Sequence, residues 1–140
     1  MSWIIYAILS AVFAALVAIF GKIGIKGVDS NLAVAIRTVI IVFFAWGVVW
    51  WQGTAGELFK ISKYSLTFII LSAFATGLSW MFYYKALQLG EASKVAPIDK
   101  LSVALTIIMA FIILGEKPTA GNMIGGLLVT SGVLVAALVK

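Results

Sequence analysis

Five apolar runs, each of about 20 residues, divide this sequence, and no stretch between them is long enough to fold by itself. The runs are Trp3–Gly21, Asn31–Trp50, Leu66–Leu87, Val95–Leu114 and Gly121–Val139. A run of this length crosses a bilayer as a helix, since a helix rises about 1.5 Å per residue and the hydrocarbon core is about 30 Å thick. The breaks are glycine-rich and polar: GKIGIKGVDSN, WQGTAGELFKISKYS, QLGEASK and GEKPTAG. Composition points the same way. Of the 140 residues 64% are hydrophobic and 11% charged, and no soluble fold of this size hides that much apolar surface. The runs are continuous rather than alternating, which excludes a β-barrel. Nothing basic precedes the first run and no convincing cleavage site ends it, so it reads as a span rather than a signal peptide. There is no internal repeat. The expected fold is an all-α membrane protein with five transmembrane helices, one domain over residues 1–140.

Several chemistries are closed to such a chain. It has no cysteine and no histidine, so disulfides, thiol nucleophiles and the commonest metal ligand and catalytic base are missing. No pair of acids faces one site, and neither an enzyme nor a bound metal or cofactor is expected. The formal charge is +5, but the bases are scattered singly between apolar runs. They suit loop lysines that orient spans in a lipid bilayer, not a surface for nucleic acid.

The lysine distribution is nearly balanced. Alternation of spans puts Lys60, Lys63 and Lys117 on one side and Lys22, Lys26, Lys85, Lys94 and Lys140 on the other. The bias leans toward an outside N-terminus and is small enough to permit both orientations. Trp3, Tyr6, Trp50, Trp51 and Tyr64 fall where interfacial aromatic belts lie. Trp80, Tyr83 and Tyr84 differ: their i, i+3, i+4 spacing makes one aromatic face on the third span. That face either packs in the core or forms a wall of a substrate site, where ring faces attract cations and apolar groups.

Ionisable residues inside spans are costly and mark function by default. Here they are Arg37 in the second span, Lys85 near the end of the third, and Asp99 and Lys100 near the start of the fourth. The same alternation puts all four in one half of the bilayer. Arg37 and Lys85 either snorkel to the interface or serve as partners for Asp99. Pro97 suits the first turn of a helix, which would set Asp99 at the favourable positive end of the dipole. Adjacent residues point about 100° apart, so Asp99 and Lys100 need not bridge. Asp99, Ser102 and Thr106, at i, i+3 and i+7, form a polar stripe that lines a neighbouring helix or a wet cavity. In the fifth span Gly121, Gly125 and Gly132 permit close helix contact, within the chain or with a second copy.

At these residues the sequence resembles a known family. The segment WMFYYKALQLGEASKVAPIDKLSVALTIIMAFIILGEKPTAGNMIGGLLVTSGVLV is similar to the second part of an EamA domain, of the drug/metabolite transporter superfamily. The shared pattern is an aromatic-rich third helix running into Ala-Leu, a Gly-x-Ala-Ser turn and a proline-started fourth helix. A Leu-Gly-Glu-Lys turn and a glycine-bearing last helix follow. Gly21-Lys22 and Arg37 agree more loosely. Many members carry two such units in one chain. This chain carries one, and it lacks the second proline common in the fourth helix.

The resemblance implies a secondary transporter of small solutes that works by alternating access, in the cytoplasmic membrane of a prokaryote. It implies one half of a ten-helix inverted-repeat assembly, completed by a second copy of the chain that is antiparallel to the first, with fifth helices helping to join the halves; the rival is a parallel dimer with one fixed topology. Arg37, Lys85 and Lys100 outnumber Asp99, which slightly favours an anionic or zwitterionic small-molecule substrate. One alternative is a non-transporting membrane partner or assembly protein. Another is a small multidrug-type cation exporter; such exporters depend on an acid in the first helix, and Trp3–Gly21 contains none.

Overall fold

The computed structural model describes residues 2–138, and all regular structure among them is helical. The helices are α1 (Ser2–Gly24), α2 (Ser30–Gln52), a 3-10 helix (Ala55–Lys60), α3 (Lys63–Leu89), α4 (Ala92–Asp99), α5 (Leu101–Met109), a π-helical turn (Ala110–Leu114) and α6 (Ala120–Leu138). Among the described residues, five stretches are long and apolar enough to span a membrane: Trp3–Gly24, Ser30–Gln52, Lys63–Leu89, Ala92–Leu114 and Ala120–Leu138. All five spans read from the sequence are present. Trp3 and Leu114 are ends as expected, while most of the others lie one to three residues further out, where caps such as Asp29, Gly53 and Ser62 set them. The last residue of the fifth expected span, Val139, lies outside the described residues, as does Lys140.

The chain divides into two compact units. One is Phe20–Gln88; the other joins Met1–Ile19 to Leu89–Lys140. In the first, α2 is closed at both ends by its own residues. The Asp29 carboxylate accepts from the backbone N–H groups of Asn31 and Leu32, at 2.9 and 3.0 Å, which satisfies two donors the helix start leaves open. At the other end Gly53 turns left-handed with φ 73°. Its N–H donates to the Trp50 carbonyl and that of Thr54 to Val49, a Schellman closure that favours glycine. Ser62 opens α3 in the same manner, its hydroxyl accepting from the Ser65 N–H at 3.1 Å.

This unit is fastened where α1 ends. A Cβ placed on Gly21 would stand 3.0 Å from the Tyr84 hydroxyl and 3.6 Å from Leu87, so α1 and α3 meet as closely as a missing side chain allows. Leu87 is fully buried, and Tyr84 packs with Ile25 and Val34. The Lys22 ammonium donates to the Leu87 carbonyl, and the Gln88 amide donates to the Val28 carbonyl at 3.0 Å.

In the second unit the fourth span is broken. Glu91 is extended, so α4 begins at Ala92, and Pro97 falls inside the helix rather than in its first turn. A proline there has no N–H to donate back to Ser93, and its ring crowds the preceding turn. Two residues later α4 ends. The Lys100 N–H bonds tightly back to the Pro97 carbonyl at 2.9 Å, the Val103 N–H reaches Lys100 at 3.0 Å, and α5 starts anew at Leu101. The span closes on a π-helical turn, with Gly115 at φ 68° and the Glu116 N–H donating to the Ala110 carbonyl.

Both α4 and α5 pack on α6. The closest approach is at Gly126, where a Cβ would stand 3.0 Å from the tip of Ile107, and Val133, two turns on, is buried. Gly125 and Gly132 have open space where a Cβ would be, and Gly121 meets only the nearby Thr119 hydroxyl at 3.8 Å.

These contacts rank the glycines. Gly21→Val drives two methyls into the Tyr84 ring and should destabilise the protein by about 1–3 kcal/mol. Gly47→Ala, in mid-α2 with nothing within 4 Å, should be neutral or slightly stabilising. Thermal unfolding in detergent compares the two; equal midpoints would show that Gly21 is no contact point.

Candidate functional site

The aromatic face read on the third span exists, and a cation of the protein's own lies on it. α2 carries Arg37 and α3 carries Trp80, Tyr83 and Tyr84. The Arg37 guanidinium carbon lies 3.6 Å from the centre of the Trp80 ring and 5.2 Å from that of Tyr84. Trp80 meets Tyr83 edge-on at 5.8 Å and Tyr84 at 5.9 Å, and the two tyrosines are 6.3 Å apart. Tyr84 belongs to the buried cluster, while Trp80 and Tyr83 are half-buried beside it. The ring pairs therefore have a fixed base, and the guanidinium rests on the half-buried Trp80. A cation over a tryptophan face is worth about 0.5–2 kcal/mol, more as water is removed.

Lys85 does not join this group. At five residues from Trp80 it points about 140° away around α3, and its ammonium donates to the Gln88 side chain at 3.2 Å. The sequence offered no sign of that pairing beyond the i, i+3 spacing.

In the other unit, Asp99 and Lys100 flank the break in the fourth span. Their side chains form an ion pair at 3.3 Å, with exposures of 39% for Asp99 and 53% for Lys100. The helical spacing leaves a bridge between them optional, and the structure forms it. The 100° rule assumes a continuous helix, and Lys100 stands outside both α4 and α5. Asp99 likewise closes α4 instead of capping a helix start, because the helix begins seven residues before it. The stripe is consequently split: Asp99 ends α4, while Ser102 and Thr106 lie one turn apart on α5, both exposed. Leu101, Ala104 and Ile107 form the half-buried side of α5, with Ile107 set against Gly126 of α6, so Ser102 and Thr106 face away from α6.

Sequence reasoning missed Gly126, Gln88 and the close approach at Gly21. Gly126 adjoins Gly125 in the same motif, and a period count favours whichever glycine repeats at seven. Only the position of Ile107 distinguishes them.

Among the described residues, five helices long and apolar enough to cross a membrane, a guanidinium within the second and a charged break in the fourth define a multi-pass membrane protein. The chain belongs to the EamA-like transporter family, whose model matches residues 1–138. It is 40% identical over 137 residues to the "Uncharacterized transporter in cobO 3'region" of Sinorhizobium sp., covering 98% of this chain and 97% of that one. It is also 32% identical over 73 residues to an uncharacterized protein of Methanocaldococcus jannaschii, covering 52% and 53% of the two chains. No solved structure matches it.

The Asp99–Lys100 pair is open to test. Asp99→Asn keeps the shape but leaves Lys100 without its counter-charge. The pair is exposed enough that stability should change by less than about 1 kcal/mol. Solute flux in proteoliposomes should fall about tenfold or more, equivalent to about 1.4 kcal/mol on the barrier. A stable variant with full flux would reduce Asp99 to a helix-ending residue.

Proposed function

We propose that this protein is a secondary transporter of small solutes that works by alternating access as an antiparallel homodimer. The observation that carries this reading is the break in the fourth span at Lys100, three residues past Pro97, where α4 ends, α5 begins and the Asp99–Lys100 ion pair stands. Interrupted helices near the bilayer midplane are the usual seat of solute and ion sites in transporters, since the freed helix ends and charges serve the cargo. Arg37, Trp80, Tyr83, Tyr84, Lys85, Asp99, Lys100, Ser102 and Thr106 are the proposed pathway residues. The chain acts as a single EamA unit in the cytoplasmic membrane of a prokaryote.

Five spans give opposite placement to the two ends, so a second copy can supply an inverted half only by entering the membrane the other way round. The Sinorhizobium relative is matched over 97% of its length and so holds one such unit as well. The near-even lysines permit both insertions. The open Gly121, Gly125 and Gly132 face of α6 supports contact between copies, because the chain's own packing uses Gly126 instead. Flux of a panel of amino acids, organic acids and organic cations into proteoliposomes tests the reading. A purified dimer that moves none of them supports a non-transporting partner protein, and proton-driven efflux of lipophilic cations alone would support the multidrug-type alternative.

Two further outcomes follow. Gly125→Ile should separate the α6 helices and lower the dimer fraction in detergent; an unchanged mass would count against this face. A cysteine placed at Lys140, the only thiol in the chain, should react to about half with a membrane-impermeant reagent in intact cells if both orientations occur. Labelling near zero or near completion would establish one fixed orientation.

A further inference from the structure

We propose that the edge of the Arg37 guanidinium is a binding site for the carboxylate of a small organic anion with an apolar body. The proposal gives the transporter reading its substrate class and rests on that reading for its role.

Arg37 lies about 10 Å below the start of α2 at 1.5 Å per residue, on a helix whose same side carries Ala33, Ile40, Ile41 and Phe44. A charged group at such depth is expensive unless partnered. Among the described residues, the interactions of the guanidinium are those with the Trp80 and Tyr84 rings, and no ion pair includes it. The acids of its own unit are committed elsewhere. Asp29 caps α2, and Glu57 belongs to the 3-10 helix past the far end of α2.

The stacking decides what the site can hold. A ring takes one face of the guanidinium and leaves its N–H donors in the plane. Those donors match the two oxygens of a carboxylate in parallel, charge-assisted bonds. A second cation is repelled, and a neutral amide offers one acceptor where the fork needs two. Tyr84 is buried and Trp80 and Tyr83 are half-buried, so the rings under Arg37 have a fixed base. The row of exposed apolar residues around Arg37, Ile40 at 64% and Phe44 at 73%, suits an apolar body beside the charge. Ring faces alone suggest a cation site; with Arg37 laid across Trp80, the sign of the preferred ligand reverses.

The test uses radiolabelled benzoate and the purified protein in phosphatidylcholine nanodiscs, with benzamide and tetraphenylphosphonium as competitors. Saturable benzoate binding that neither competitor displaces is expected. Arg37→Lys keeps the charge but loses the planar fork and should weaken benzoate about tenfold or more. Arg37→Gln should abolish binding; should that variant not fold, Arg37→Lys and the competitor series carry the test. Trp80→Leu removes the support under the fork and should weaken benzoate by about five- to thirtyfold. Absent benzoate binding, displacement by tetraphenylphosphonium, or undiminished binding in Arg37→Lys would overturn the proposal. Flux separates the two readings. Benzoate bound through Arg37 with no solute transported would keep the site and remove the transporter. Transport that is indifferent to both Arg37 variants would keep the transporter and remove the site.

Discussion

A bilayer offers no hydrogen bonds to a bare N–H or C=O, so each polar group of the backbone must be satisfied by the protein itself. The caps show the chain meeting this demand where spans begin and end: Asp29 and Gly53 close α2, Ser62 opens α3, and Thr119 accepts from the Asn122 N–H ahead of α6. The break in the fourth span meets it differently. Pro97 leaves the Ser93 carbonyl without its usual donor, and three residues on the Lys100 N–H is satisfied by a tight turn back to the Pro97 carbonyl before α5 starts. That the interruption falls on Lys100, ion-paired to the last residue of α4, ties the backbone defect to the polar chemistry of the protein.

The same constraint explains what could be read in advance. The existence of five spans follows from run length, because length is what a membrane selects. Their ends do not, since Ser62, Asp29 and Glu91 start helices from polar positions that a hydropathy count discards. Pro97 was misplaced for this reason. A helix that begins at Val95 has the proline in its harmless first turn; one that begins at Ala92 carries it in the interior, where the Ser93 carbonyl loses its donor. Gly125 and Gly126 show a different limit. Neighbours in sequence point about 100° apart, and only the tertiary position of Ile107 decides which glycine receives another helix.

The aromatic face was legible from spacing alone, and so was the presence of Arg37 in the second span. Their union was not. Nothing in either span's periodicity says which residue of α2 lies over Trp80, because that depends on how α2 and α3 are fastened at Gly21, Lys22 and Gln88. Once the two are joined, the chemistry inverts: an electron-rich ring surface becomes the support of a positive fork.

Mechanically, the fourth span is two short rods, α4 of eight residues and α5 of nine, joined at Lys100 and followed by the π-helical turn. A continuous helix transmits bending and torsion along its full length; a jointed one concentrates both at the joint. Both rods rest on α6, which acts as a common rail. Any force that tilts one rod against that rail is therefore relieved at Lys100, and changes the angle at which Asp99 and Lys100 are presented before it disturbs either rod.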